Sequence, residues 1–283
     1  MKRLFLVGFV LAGYGLSTAQ PSFRALVEVV EVDVSVTRKG QPVPGLTSSD
    51  FIVTDNGVPQ AVESITLDQL PLNVTLVLDV SQSLAGARLV RLTQAGHELT
   101  RALRAEDQAA VVTFADEIVL RLPTTGDMAR VRAELGRLGA AGPTALRDAV
   151  HLAVQLRPPG RTRSLLLLFT DGRDTASWLT EGDVLESVRR AGTVIHIVRT
   201  EADTFLNRLA EASGGRVWSA TSDDDLNELF TRALDEMRAR YLLTYSPEGV
   251  NEPGWHQIRV SLKGESGEIR ARPGYLVAEP RSP

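Results

Sequence analysis

The chain has 283 residues, 43% of them hydrophobic and 23% charged, a balance that fits one large or two modest folded domains and excludes disordered, collagen-like and coiled-coil chains. Its 31 basic and 35 acidic side chains leave a net charge of −4, so the broad positive field of a nucleic-acid binder is missing. Cysteine is absent and lysine occurs only at Lys2, Lys39 and Lys263, which removes disulfides, thiolate zinc sites, thiol nucleophiles and any central phosphate-loop or Schiff-base lysine.

Residues 1–19 read as a secretory leader: Lys2 and Arg3, an apolar run over 4–12, and Ser17-Thr18-Ala19 as the cleavage site. Retention of this segment as an N-terminal anchor is the alternative. No later stretch reaches 18 uninterrupted apolar residues, so an exported, non-integral product is expected: secreted, periplasmic or on a bacterial surface. In the N-terminal β segment, 20–70, Val30, Val32, Val34 and Val36 alternate with Glu31, Asp33, Ser35 and Thr37, predicting a half-buried strand. Phe51 to Thr54 runs into Asp55-Asn56-Gly57, a hairpin signal because Asn and Gly accept positive φ.

From 71 to 240 apolar runs alternate with helix-period stretches, the mark of parallel β/α units. Strands are expected over 74–78, 109–114, 165–169, 194–198 and 217–218, with an edge strand over 118–122. Helices are expected around 89–103, after an Asp127 cap, over 145–156, 184–190 and 205–212, and from Leu226 to Met237 after a cap near Asp223. Period two returns over 241–283, in Tyr241 to Tyr245 and in Ile258, Val260 and Leu262. The expected fold class is α/β, a doubly wound, mostly parallel sheet, with an all-β sandwich-like unit built by the two flanking segments. Each flank is too small to bury a core alone; independent extensions on different sides of the central domain are the alternative.

In such a sheet, ligands collect beyond the carboxyl ends of the strands. Three loops expected there are rich in oxygen: Asp79-Val80-Ser81-Gln82-Ser83, Gly142-Pro143-Thr144 and Thr170-Asp171-Gly172. Two carboxylates and three hydroxyls suit a hard divalent cation, with Ser81, Ser83 and Thr144 as direct ligands and Asp79 and Asp171 behind bound waters. The cation would keep one coordination position attractive to an outside carboxylate. Local capping by Asp79, Ser81 and Thr144 is the plainer reading of each residue taken singly.

The order D-x-S-x-S, G-x-T, T-D-G resembles the metal-ion-dependent adhesion site of von Willebrand factor type A domains, over roughly residues 71–240. Gln82 stands where many members have Gly. The flanking stretches LTSSDFIVTDNG, from Leu46 to Gly57, and RARPGY, from Arg270 to Tyr275, resemble a secreted bacterial subgroup first described in acidobacteria. The resemblance implies a metal-dependent, adhesion-type protein-binding module that holds Mg²⁺, or Mn²⁺ or Ca²⁺, at Asp79, Ser81, Ser83, Thr144 and Asp171 and takes an acidic side chain of a protein partner.

An assembly module with a vestigial metal site, binding through its β unit, is the second reading. A hydrolase is the remote third: Ser81 stands where a second acid would follow Asp79, and there is no G-x-S-x-G elbow, so no catalytic residue is assigned. His97, His151, His196 and His256 lack metal-ligand spacing and are read as helix-surface, sheet-end or flanking-strand residues. Asp148 and Asp174 are read as solvated carboxylates rather than as supports of the site, and Asp223 to Asp225 as helix capping. Trp178 either lines the binding face or packs over the helix beneath it.

Overall fold

The computed structural model describes residues 29–67, 69–156, 162–220, 225–250, 252–264 and 267–278; the expected leader and the Asp223 cap lie outside these. The described residues begin with five strands, β1 (Val30–Arg38), β2 (Gln41–Pro42), β3 (Phe51–Asp55), β4 (Val58–Gln60) and β5 (Ser64–Leu67). The central region follows as β6 (Leu72–Asp79), α1 (Ala87–Ala102), β7 (Gln108–Phe114), β8 (Ile118–Thr125), α2 (Met128–Leu135), α3 (Leu146–Val154) and β9 (Arg163–Thr170). It continues through α4 (Glu181–Ala191), β10 (Val194–Arg199), α5 (Thr204–Ser213), β11 (Val217–Ser219) and α6 (Asp225–Arg238). Four strands close the described residues: β12 (Tyr241–Tyr245), β13 (Gly254–Leu262), β14 (Glu268–Arg270) and β15 (Gly274–Val277).

The central sheet has the order β11-β10-β9-β6-β7-β8, parallel except for the antiparallel edge strand β8. Strand β6 is buried on both faces, which is why it reads as an unbroken apolar run. Leu76 and Leu78 face α1, α2 and α6, while Val77 faces α3, α4 and α5. Asp127 caps α2 by accepting from the N–H groups of Ala129 and Arg130, as the sequence predicts. Asp127→Ala is expected to cost about 1 kcal/mol in a urea melt.

The two flanking segments interlace. Strand β1 pairs antiparallel with β12 in its first half and with β14 and β2 in its second, and β3 pairs with β13. Two sheets result, β14-β1-β12-β5 and β15-β13-β3-β4. The valines of β1 meet Phe51, Val53, Tyr241, Leu243, Tyr245 and Ile258 between them. Asp55 ends β3 inside this unit and accepts from the hydroxyls of Tyr245 (3.0 Å) and Tyr275 (2.7 Å), with His256 Nδ1 2.9 Å away. The stretches D-N-G and R-P-G-Y are thus joined through one buried carboxylate.

The alternation of β1 predicts a wet polar face, and the structure differs: Ser35 and Thr37 are buried and Asp33 pairs with the buried Arg163 of β9 (2.8 Å). Glu31 stays exposed, while Asp33 ties this face to the central domain.

Candidate metal centre

The strand order reverses between β6 and β9, which run side by side while their following connections lead to opposite faces. A crevice forms beyond the carboxyl ends of two such strands. Asp79 is the last residue of β6, and Asp171 follows the last residue of β9.

Asp79 is fully buried, its Oδ1 accepting from the N–H of Ser81 (2.9 Å) and its Oδ2 from the hydroxyl of Thr170 (2.8 Å). The Ser83 hydroxyl, 88 residues away in sequence, donates to Oδ2 of Asp171 at 2.5 Å, and the Ser81 and Ser83 hydroxyls lie 3.1 Å apart. Ser81 and Asp171 are buried, whereas Ser83, on the single 3-10 turn Gln82–Leu84, is exposed and marks the mouth. Four of the five expected residues are therefore linked by hydrogen bonds, Asp79 through the Ser81 backbone and the others through their side chains.

The loop carrying the fifth, Thr144, is tied to the others through backbone. Gln82 N–H donates to the Gly142 carbonyl (3.0 Å), and Ala141 N–H to that of Val80 (2.9 Å). The buried Thr144 donates its N–H to the Thr175 hydroxyl (3.0 Å), and its carbonyl accepts from Thr175 and Ala176. Gly142 has φ +78°, a dihedral that calls for glycine, and a Cβ there would lie 2.6 Å from Oδ1 of the exposed Asp116 side chain. Asp116 brings a third carboxylate to this mouth. Sequence reasoning passed it over, although it too follows the carboxyl end of a strand, β7.

Burial pushes the Asp79 carboxyl above its ordinary value, and the neighbouring Asp171 carboxylate adds to this against the hydrogen bonds from Ser81 and Thr170. Among the described residues neither Asp79 nor Asp171 carries an ion pair; the guanidiniums close by are paired elsewhere, Arg173 with Glu201 (3.0 Å) and Arg147 with Asp174 (3.1 Å). Also among the described residues, no group of three or more His, Cys, Asp or Glu comes together as a metal cluster. The donor set is instead two adjacent carboxylates with hydroxyls, hard oxygens suited to Mg²⁺, Mn²⁺ or Ca²⁺.

Asp148 and Asp174 are not the solvated carboxylates that the sequence suggested. Asp148 accepts from the N–H groups of Trp178 and Leu179 (2.9 Å each), and Asp174 from the N–H groups of Arg147 (2.9 Å) and Ser177 (3.1 Å) and the Ser177 hydroxyl (2.7 Å). They fasten the stretch after Asp171 to the first turn of α3. Trp178 does not pack over the helix; it is 94% exposed.

Residues 74–173 match the family described as von Willebrand factor type A domain. Among curated proteins, inter-alpha-trypsin inhibitor heavy chain H4 of Homo sapiens is 24% identical over 240 residues, 75% of this chain and 26% of that protein. The Bos taurus protein of the same name is 23% identical over 76% of this chain. The chain thus spans about a quarter of the length of the curated relatives it matches. Among solved structures, proximal thread matrix protein 1 from the mussel byssus, with a zinc-occupied MIDAS motif, aligns at TM-score 0.54 and 18% identity, covering 63% of this chain and 48% of that one. A von Willebrand factor type A protein from Catenulispora acidiphila aligns at TM-score 0.50 and 13% identity, covering 88% and 72%. At these identities the solved structures show the fold alone.

Proposed function

From a chain that carries a von Willebrand factor type A domain, we propose an exported, non-enzymatic binding protein that holds a divalent cation at Asp79, Ser81, Ser83, Thr144 and Asp171 and captures an acidic side chain of a protein partner. The observation that carries the proposal is the closure of the Ser83 hydroxyl on Asp171 beside a buried Asp79, which puts donors from two distant loops in one place. Ser81, Ser83 and Thr144 would hold the cation directly, and Asp79 and Asp171 through water. The bound ion would supply a vacant position for an outside carboxylate.

The mouth by itself repels that ligand. Asp79, Asp116 and Asp171 are acidic, while Arg147 and Arg173 are paired with acids. Capture of a carboxylate therefore depends on the cation and is reversed by a chelator. Mg²⁺ is the expected ion, with Mn²⁺ or Ca²⁺ as alternatives. Export to a periplasm or cell surface rests on the leader read in residues 1–19, and the described residues include no helix long and apolar enough to cross a membrane.

Calorimetric titration with Mg²⁺, Mn²⁺ and Ca²⁺ tests the metal claim. The parent chain gives saturable heat, whereas Asp79→Ala and Ser81→Ala give none while keeping their far-UV circular dichroism. A parent that gives no heat with any of the three ions overturns the proposal and leaves binding through the β unit as the reading.

A further inference from the structure

The three tryptophans sit differently. Trp218 is buried, with the His196 ring against it at 4.9 Å and Arg216 over it. Trp255 lies under Arg189, against Gly274. Trp178 stands 94% exposed on the stretch that begins at Asp171. An indole can bury about 150–250 Å², and folded proteins seldom leave nearly all of one in water.

The backbone that carries Trp178 is braced. Its own N–H and that of Leu179 are held by the two oxygens of Asp148, and Ser177 is held twice by Asp174, which is itself paired with Arg147. This bracing fixes the position from which the indole projects. A side chain presented from a fixed backbone loses little further freedom on binding, and tryptophan is enriched among residues that dominate binding energy. Leu152 lies one turn along α3 from Asp148 and is 37% exposed.

The distance to the candidate metal centre is bounded by the chain. Trp178 follows Thr175 by three residues, and the Thr175 hydroxyl bonds the N–H of Thr144. Three residues of chain reach about 10 Å at most, the rise of about three residues in an extended ligand.

We infer that Trp178 is the second anchor for the ligand of the metal centre, and that the ligand is an extended segment of a partner protein carrying a large apolar side chain about three residues from its acidic one. The inference rests on the metal-dependent reading above. Aspartate or glutamate meets the cation, and the apolar side chain lies on the indole on its α3 side.

The test uses a displayed library of short linear peptides with one fixed aspartate, selected on the parent chain in Mg²⁺ and eluted with a chelator. Recovered peptides are expected to be enriched in Leu, Ile, Met or aromatic residues two to four positions from the aspartate. They should bind Trp178→Ala about tenfold or more weakly and Trp178→Phe in between. Mg²⁺ heats of both variants should equal that of the parent, which a merely structural role for Trp178 would not leave untouched. Peptides that bind Trp178→Ala as tightly as the parent overturn the inference while the metal reading stands, and so does failure to recover any chelator-sensitive peptide on a parent that gives Mg²⁺ heat. A parent without Mg²⁺ heat overturns both.

Discussion

Replacing Glu236 by alanine is expected to lower the unfolding free energy by about 3–5 kcal/mol. Its carboxylate, on α6, takes two hydrogen bonds from the fully buried Arg240, 2.9 Å each, and lies 2.6 Å from Nε2 of the fully buried His196 on β10. The N–H of Arg216 donates to His196 Nδ1 (3.2 Å), so the neutral ring carries its proton on Nε2, the nitrogen beside Glu236. Without Glu236 a buried guanidinium loses its counter-charge, the costly half of breaking a buried pair. Urea melts check the value, and the double variant Glu236→Leu, Arg240→Met should regain much of the loss because it removes both charges together.

The same trio sets a pH slope. Burial holds the His196 imidazole below its ordinary value of 6.5, against the pull of Glu236. Below about pH 6.5 the unfolded chain therefore takes a proton that the folded one refuses, and stability falls. Burial works to raise Glu236, but Arg240 and His196 outweigh it and hold the carboxyl well below its ordinary 4.5. Its contribution is complete above about 4.5 and is lost as the pH drops toward the folded value. Both groups act in one direction, so melts from pH 7 to pH 4 should show a steady decline that steepens at the acid end.

Gly215→Ala is expected to cost more than about 4 kcal/mol or to prevent folding. A Cβ at this position would lie 1.9 Å from the carbonyl oxygen of Ile195 and 2.6 Å from its carbon. The obstacle is the backbone of β10, buried at the centre of its packing, and cannot swing aside as a flexible side chain would. Relief would require β10 and β11 to separate from the end of α5, where Gly215 N–H donates to the Ala210 carbonyl. Soluble yield and a thermal melt beside Gly139→Ala, where a Cβ meets nothing within 4 Å, are the measurement.

Those residues whose role is local were legible in the sequence. The apolar runs of β6 and β9, the helical spacing of Leu92 and Leu99 and the Asp127 cap follow from periodicity and backbone chemistry, and the structure has them where they were expected. The order of the three oxygen-rich loops could be read because the fold class says which ends of the strands carry ligands. What escaped depends on partners distant in the chain. Asp148 and Asp174 bond groups 27–31 residues away, and nothing local separates such a carboxylate from a solvated one. Asp33, Ser35 and Thr37 alternate like a wet face, but Ser35 and Thr37 are buried and Asp33 pairs with Arg163 of the central domain. His196 carried a readable signal, a lone imidazole inside the apolar run 194–198; its place is in the core, not at a sheet end.

The interlacing of the chain's two ends has a mechanical side. The central domain is entered after β5 and left before β12, and these two strands are neighbours, with Tyr241 opposite Leu67. Strand β1 lies against β12 with Val30 opposite Tyr245 and Val34 opposite Tyr241. Tension between a captured partner and Val30 would pull β12 from its Tyr241 end and β1 from its Val30 end, opposite extremes of one ladder. The rungs of that ladder would be sheared all together instead of being unzipped one after another, so the joint that is weakest to peeling is loaded in its strongest direction.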